Sequence, residues 1–194
     1  MMIKDEMNKK KFIESYFEEF GKCAFADLID DSLIRAAEIL TEAKENGKKV
    51  LFAGNGASAT IANHCALDYT KQAKIRSISF SDSGFLTAYG NDYGYDYWVE
   101  KALEHFADKG DIVVLISSSG SSPNILNAAS YAKKKGLETI TFSGFESDNP
   151  LKQLGDINFW ANSKSYNIIE TTHMLWLVTI CDFIIGKKEY SVTS

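Results

Sequence analysis

The chain has 194 residues, of which 45% are hydrophobic and 24% charged, as is typical of one globular domain with a full core. We therefore expect residues 1–194 to form a single domain. A net charge of -5 argues against a nucleic-acid-binding protein, because phosphate backbones are bound by clustered Lys and Arg side chains.

Cysteine spacing, the N-terminal sequence and hydropathy argue against disulfide-rich, cysteine-zinc, secreted and membrane-spanning proteins. Cys23, Cys65 and Cys181 are far apart and form no C-x-x-C pair, so neither a disulfide framework nor a cysteine zinc site is expected. The N-terminus has no apolar run of the kind found in signal peptides. The most apolar stretch, Met174 to Gly186, contains Asp182 and is shorter than the ~20 residues of a bilayer span. We expect a cytoplasmic protein with no membrane partner, and a buried helix in this stretch.

Two helical patterns occupy the first part of the chain. "KKFIESYFEEFGKCAFA" repeats aromatic residues at helical spacing, and "DSLIRAAEILTEAKENG" opens on an Asp/Ser cap and closes on Gly47. We expect these N-terminal helices, within residues 1–47, to pack on the domain and to lie at an oligomer interface.

Strand and helix patterns alternate through the rest of the chain. The strand patterns are short, apolar and rich in β-branched residues, and a helical pattern follows each of them: "KKVLFAG", "RSISFSDS", "DIVVLISSSG", "ETITFSG" and "INFWAN". Such runs are typical of strands covered on both faces. The pattern predicts a three-layer α/β/α sandwich, a flavodoxin-like arrangement with a parallel sheet of about five strands. In such sheets ligands bind beyond the carboxyl ends of the strands.

The first candidate binding loop is the glycine loop, residues 54–58, which reads Gly-Asn-Gly-Ala-Ser after the first strand. Glycines let the backbone approach a ligand, and the N-terminus of the following helix attracts negative charge. The alternative is an ordinary strand-to-helix turn capped by Ser58. The glycine spacing alone does not decide between these interpretations.

The second candidate is the serine loop, residues 117–122, which follows the third strand and precedes Pro123. Proline suits the first position of a helix, and Ser122 suits its cap. More hydroxyl groups remain than a cap needs, so the loop predicts a site for a phosphate monoester. Neither loop contains Lys or Arg, and both the P-loop and the G-x-G-x-x-G pattern are absent, so no nucleotide cofactor is expected.

Three blocks of sequence, "AGNGASATIANH", "GNDYGYDYWVEKALE" and "GDIVVLISSSGSSPNIL", resemble the sugar isomerase (SIS) domain family, and in particular its phosphoheptose isomerase branch. The resemblance covers about residues 48–186. It implies isomerisation of sedoheptulose 7-phosphate to a heptose 7-phosphate in a homotetramer with active sites at subunit interfaces. It also implies a sugar-phosphate site that comprises Asn55, Gly56, Ser58, Asp82, Ser117, Ser118, Ser119 and Ser122.

The resemblance implies catalytic and metal-binding residues too, with departures from the family pattern. His64 matches a metal ligand, Asp68 stands where the isomerases have a glutamate, and Glu170 stands where they have a glutamine. Aspartate is shorter than glutamate by one methylene, and misplacing a catalytic group by ~1 Å can cost on the order of a hundredfold in rate. Val178 replaces a catalytic histidine and carries no proton. His173, one turn after Glu170, is our candidate for the missing imidazole.

Aldose–ketose isomerisation passes through an enediol, which requires a base and a group that polarises the carbonyl. His64 and Asp68 are four residues apart on one helix face, and with Glu170 they would make a three-ligand zinc site. Under the alternative interpretation, His64 and Asp68 are a surface pair and Glu170 faces solvent or a subunit interface.

Two functional hypotheses follow. The first is a phosphosugar isomerase that uses Asp68, His64, Glu170 and His173. The second is a binding module that keeps the sugar-phosphate pocket, has lost proton transfer and serves as a regulatory or assembly protein; Val178 favours this second hypothesis. Both require a sugar phosphate as the small-molecule partner.

Overall fold

The computed structural model describes residues 6–26 and 29–189. Five strands are present, namely β1 Val50–Gly54, β2 Ser77–Ser79, β3 Ile112–Ile116, β4 Glu138–Ser143 and β5 Ile157–Trp160. Seven α-helices are described, namely α1 Glu6–Ala24, α2 Ile29–Glu45, α3 Ala57–Lys71, α4 Ser83–Tyr93, α5 Trp98–Phe106, α6 Pro123–Lys135 and α7 Tyr166–Ile185. A 3-10 helix, Pro150–Gln153, lies between β4 and β5.

The strands form one parallel sheet in the order β2-β1-β3-β4-β5. Each strand coincides with one of the five apolar runs, so the predicted α/β/α sandwich is confirmed. β1 and β3 are paired along their full length, from Val50 opposite Ile112 to Gly54 opposite Ile116. Their carboxyl ends therefore lie side by side.

Alternate residues of the central strands face two separate cores, as the pleat of a strand dictates. Phe52 and Val114 pack with α2, α3 and α7 on one face. Leu51 and Leu115 pack with α5 and α6 on the other. All four side chains are at most 1% exposed, which explains why these strands show no polar alternation.

α7 is the core helix predicted from the apolar stretch. By length and composition it could cross a membrane. Its apolar residues instead pack against α1, α2 and α3, and Trp176 and Ile180 are both buried in the core that also contains Phe52 and Val114. The prediction of a buried helix is confirmed.

The two N-terminal helices are confirmed, but one of their boundaries is not. α2 begins at Ile29, so Asp31 and Ser32 lie in its first turn, and the predicted Asp/Ser cap is wrong. Acidic residues in a first turn still favour the helix through its dipole.

α1 packs on α7, while Phe12, Ile13 and Phe17 are more than half exposed. The three cysteines are free and buried.

A buried hydrogen bond joins α3 to α7. The hydroxyl of Tyr69, whose side chain is fully buried, donates to the backbone oxygen of Leu177 at 2.9 Å. Because both elements flank the same core, this bond fixes how α7 sits against α3.

We predict that Tyr69→Phe lowers the free energy of unfolding by about 1 kcal/mol, since it removes one buried hydrogen bond. Urea unfolding monitored by circular dichroism measures the change. Tyr131→Phe is the matched control, because the hydroxyl of Tyr131 has no hydrogen-bond partner within the described residues. Equal effects of the two substitutions would contradict a structural role for the Tyr69 hydroxyl.

His173 does not reach the surface or a cavity. It is fully buried between Phe142 and Trp176, and its Nε2 donates to the backbone oxygen of Ser143 at 2.9 Å. Burial lowers the pKa of His173 from an ordinary 6.5 to about 4, so the ring is neutral at pH 7. The suggestion that His173 supplies a catalytic imidazole is therefore wrong.

This buried imidazole makes stability depend on pH. Below pH 6.5 the unfolded chain binds a proton on His173, whereas the folded chain does not until about pH 4. Stability is thus lost as the pH falls through this interval, by about 1 kcal/mol per pH unit. We predict a shallower decline for His173→Gln, whose amide still donates but does not titrate. Urea titrations at pH 7.5, 6 and 5 test this, and parallel curves for the two proteins would refute it.

Candidate active site

The candidate site lies at the point where the strand order reverses. β1 leads into α3 on one face of the sheet, and the neighbouring β3 leads into α6 on the other. The loops after these two strands therefore diverge and leave a crevice at the carboxyl edge, which is where ligands bind in such sheets. Both candidate loops end there, as the sequence predicts.

The glycine loop turns directly from β1 into α3. A Cβ on Gly54 would lie 2.7 Å from backbone atoms of Ser58, so only glycine permits this close approach. Gly56 has φ +55° and is the N-cap of α3. Ser58 lies inside the helix and is 3% exposed, so the alternative of a Ser58 cap is wrong. Its hydroxyl is free to serve the crevice.

The serine loop forms the other wall. Ser122 is the N-cap of α6 and Pro123 its first residue, as predicted. The Ser122 hydroxyl makes no cap hydrogen bond and instead lies 3.0 Å from the Ser117 hydroxyl. Gly120 has φ +63°, and a side chain there would overlap Asn149, which packs behind the loop. The hydroxyl groups are thus held on the crevice side, next to the positive end of the α6 dipole.

The two loops and the first turns of α7 enclose a cavity of about 140 Å³. Seven of the predicted site residues line this cavity, together with Ile116 and Tyr166. These seven are Asn55, Ser58, Ser117, Ser118, Ser119, Ser122 and Glu170. In the part of the chain that the structure describes, no Lys or Arg lines this cavity. An anion here would be bound by hydroxyl groups, amides and the helix dipole.

Among residues 6–26 and 29–189, Glu170 is the one carboxylate that lines the cavity. It lies on α7, and its Oε1 is 3.4 Å from the Ser118 hydroxyl. A carboxylate repels a phosphate, whereas the N-terminus of α6 attracts one. The start of α6 is therefore the part of the cavity that suits an anion, and Glu170, beside Ser118, is the part that does not.

The predicted three-ligand metal site is not assembled within one chain. His64 Nε2 lies 3.0 Å from Asp68 Oδ2 on the surface of α3, and their side chains are 48% and 25% exposed. Neither lines the cavity that holds Glu170. Among residues 6–26 and 29–189, no group of three or more His, Cys, Asp or Glu side chains is arranged to hold a metal ion. The surface-pair interpretation of His64 and Asp68 is what the structure shows, and the set does not fit zinc in a single chain.

Other predicted site residues lie outside the cavity. Asp82 caps α4 and accepts a hydrogen bond from the Phe85 amide at 3.0 Å. Gly56 shapes the turn but does not line the cavity, and His173 belongs to the core. Val178 is partly buried on α7.

Asn124 and Tyr166 are site residues that sequence reasoning missed. Asn124, in the first turn of α6, is 1% exposed and exchanges two side-chain hydrogen bonds with Asn55. A polar side chain directly after a predicted cap and proline was an available signal. Tyr166 gave no such signal, because only the packing of α7 brings it to the cavity.

Comparisons with known proteins agree with this geometry. A family model described as SIS domain matches residues 18–144. Phosphoheptose isomerase of Aliarcobacter butzleri is 36% identical over 164 residues, which cover 81% of this chain and 86% of the relative. That of Helicobacter pylori is 32% identical over 186 residues, or 93% of this chain and 95% of the relative.

Two solved structures of phosphoheptose isomerases also match the fold of this chain. The phosphoheptose isomerase structure from Francisella tularensis matches with a TM-score of 0.84 and 29% identity, over 95% of this chain and 100% of that one. The structure from Neisseria gonorrhoeae matches with a TM-score of 0.82 and 28% identity, over 91% and 99%. The resemblance seen in the three sequence blocks is confirmed, and this chain belongs to the SIS domain family.

Proposed function

We propose that this protein is a phosphoheptose isomerase that interconverts sedoheptulose 7-phosphate and a heptose 7-phosphate through an enediol. Relatives named phosphoheptose isomerase align with most of the chain. The observation that carries the proposal is the carboxylate of Glu170 inside the serine-lined cavity. The reaction needs a proton acceptor beside the carbon chain of the sugar, and a phosphate site in the same cavity would hold the sugar next to it.

The phosphate of the sugar is bound at the serine loop. Ser119 and Ser122 flank the start of α6, where backbone N–H groups and the helix dipole favour a dianion. Binding of the distant phosphate also orients the carbon chain, which increases the rate of proton transfer at the other end.

Glu170 is the base. Its carboxylate takes a proton from C1 of the ketose, the electron pair forms the C1–C2 double bond of the enediol, and the C2 oxygen takes a proton from solvent water. The same carboxyl group then returns its proton to C2 while the C1 hydroxyl gives its own proton back to solvent water, which gives the aldose. The Ser118 hydroxyl, which donates to Oε1, orients the carboxylate.

Zinc stays a prediction for this chain. His64 and Asp68 would supply two of its ligands, but the described residues of one chain provide no third ligand beside them. The proposed proton transfer by Glu170 does not depend on a metal ion.

The second candidate function is a sugar-phosphate-binding module without catalysis. Val178 and the burial of His173 favour it, because they leave the cavity without an imidazole. The two candidates share the phosphate site and differ in whether Glu170 transfers a proton.

We predict that the purified protein converts sedoheptulose 7-phosphate to a heptose 7-phosphate, as followed by NMR. The reaction is run with EDTA-treated protein and with added zinc, so that any metal requirement is visible. Glu170→Gln should lower kcat at least about a hundredfold while it leaves sugar-phosphate binding within a few-fold, because only the proton acceptor is lost.

Glu45→Gln is the matched control for this substitution, since Glu45 is exposed at the end of α2, away from the cavity. Binding without conversion in either metal condition would favour the binding module. The absence of both binding and conversion would refute both candidates.

We also propose that the chain forms a homo-oligomer, specifically a tetramer, through α1. Phe12, Ile13 and Phe17 expose 54%, 54% and 66% of their surface, although large apolar side chains on a helix normally pack against something. A location in the cytoplasm remains a prediction that fits the three free cysteines.

Sedimentation velocity tests this interface. We predict that the wild-type chain sediments as a tetramer at micromolar concentration, and that Phe17→Glu shifts it to smaller species. Ser15→Glu adds the same charge to another exposed position of α1 and should leave the distribution unchanged. A wild-type monomer would contradict the proposal.

A further inference from the structure

Three separate segments of the chain meet at the side-chain amide of Asn55. Asn124, at the start of α6, donates from Nδ2 to Asn55 Oδ1 at 2.8 Å and accepts at Oδ1 from Asn55 Nδ2 at 2.9 Å. Tyr95, in the loop between α4 and α5, donates its hydroxyl to the same Asn55 Oδ1 at 3.1 Å. Asn55 itself lines the cavity.

These hydrogen bonds involve the oxygen of the Asn55 amide twice and its nitrogen once. An amide oxygen accepts two hydrogen bonds, and both acceptor positions of Asn55 are taken, one by Asn124 and one by Tyr95. Its NH₂ group has two donors, of which one is given to Asn124. The remaining unsatisfied group on Asn55 is therefore an N–H donor, which suits the acceptor oxygens of a sugar phosphate.

The Asn55–Asn124 pair alone does not select this orientation. If both amides turned over together, each oxygen would take the place of a nitrogen and both hydrogen bonds would be kept. The amide of Asn55 would then present a spare acceptor, which would repel the oxygens of a phosphate group. Tyr95 removes the ambiguity, because a phenol is a better donor than acceptor and its proton favours the Asn55 oxygen at that position.

We propose that Tyr95 and Asn124 are positioning residues that keep the Asn55 oxygen occupied, so that the amide offers the ligand only an N–H group. The proposal rests on the proposed function in one respect, namely that the ligand is a sugar phosphate. It gives a role to Tyr95 of the "GNDYGYDYW" block, to which the sequence alone assigned no chemistry.

Exposure makes Tyr95 the better residue to change. Asn124 is 1% exposed, so its replacement would also disturb packing, whereas the Tyr95 side chain is 53% exposed and Tyr95→Phe removes a hydroxyl at the surface. Tyr97 is the matched control. It lies two residues away, is 51% exposed, and its hydroxyl has no hydrogen-bond partner among residues 6–26 and 29–189.

The experiment compares Tyr95→Phe with Tyr97→Phe in steady-state kinetics and in calorimetric binding of sedoheptulose 7-phosphate. We expect Tyr95→Phe to raise KM and Kd about 3- to 10-fold, the effect of one hydrogen bond, and to change kcat less than about 2-fold. Tyr97→Phe should leave all three constants unchanged. Equal constants for the two variants would overturn the proposal.

A double-mutant cycle separates positioning from direct contact with the ligand. If Tyr95 acts through Asn55, Tyr95→Phe has no further effect on KM or Kd in the Asn55→Ala background. If Tyr95 touches the sugar itself, the two effects add, and the positioning role is refuted.

A readout without ligand keeps this test separate from the proposed function. The side-chain NH₂ signals of Asn55 are identified in a ¹H–¹⁵N NMR spectrum by their loss in Asn55→Ala. We expect them to shift in Tyr95→Phe and not in Tyr97→Phe. If the wild-type protein neither binds nor converts sedoheptulose 7-phosphate, the proposed function fails, and these signals alone decide whether Tyr95 holds the amide.

Discussion

The structure depends on the pairing of β1 with β3. These two strands run side by side to a common edge, and the helices that follow them leave on opposite faces of the sheet. The crevice between the loops exists because the chain reverses its direction of winding there. The glycine loop, the serine loop and the amide contact between Asn55 and Asn124 all lie across this one gap. A substitution that disrupted the β1–β3 pairing would therefore separate the two loops, even if it changed none of the residues that line the cavity.

Local patterns predicted the parts of this architecture that depend on neighbours in sequence. The five strands and the Ser122–Pro123 start of α6 could be predicted because apolar runs and helix starts are local signals. The errors concern features that packing decides. His173 lies one turn from Glu170 on α7, yet one side chain reaches the cavity and the other fills the core, since α7 is buried on one face only. His64, Asp68 and Glu170 carry suitable donor atoms, but their spacing in sequence did not reveal that, within the described part of one chain, His64 and Asp68 pair on the surface of α3 and do not line the cavity with Glu170.

The cavity combines weak anion-binding groups with one carboxylate. Hydroxyl groups and a helix N-terminus can bind a phosphate without Lys or Arg, which would suit a metabolite that must leave again. The carboxylate of Glu170, beside Ser118, would repel a phosphate and so would restrict which part of a ligand can lie next to it. Together these features would orient a sugar phosphate under either candidate function. The proposed catalysis would require in addition that Glu170 returns the proton it takes to the adjacent carbon.

The packing of Gly120 on Asn149 extends the site into a distant part of the chain. The amide of Asn149 donates to the Ser143 hydroxyl at 3.1 Å and to the backbone oxygen of Glu146 at 2.9 Å, so the segment between β4 and β5 forms the floor beneath the serine loop. The shape of the serine loop consequently depends on Asn149, which does not line the cavity. Residues 117–122 grafted onto another protein would bring the hydroxyl groups but not their arrangement.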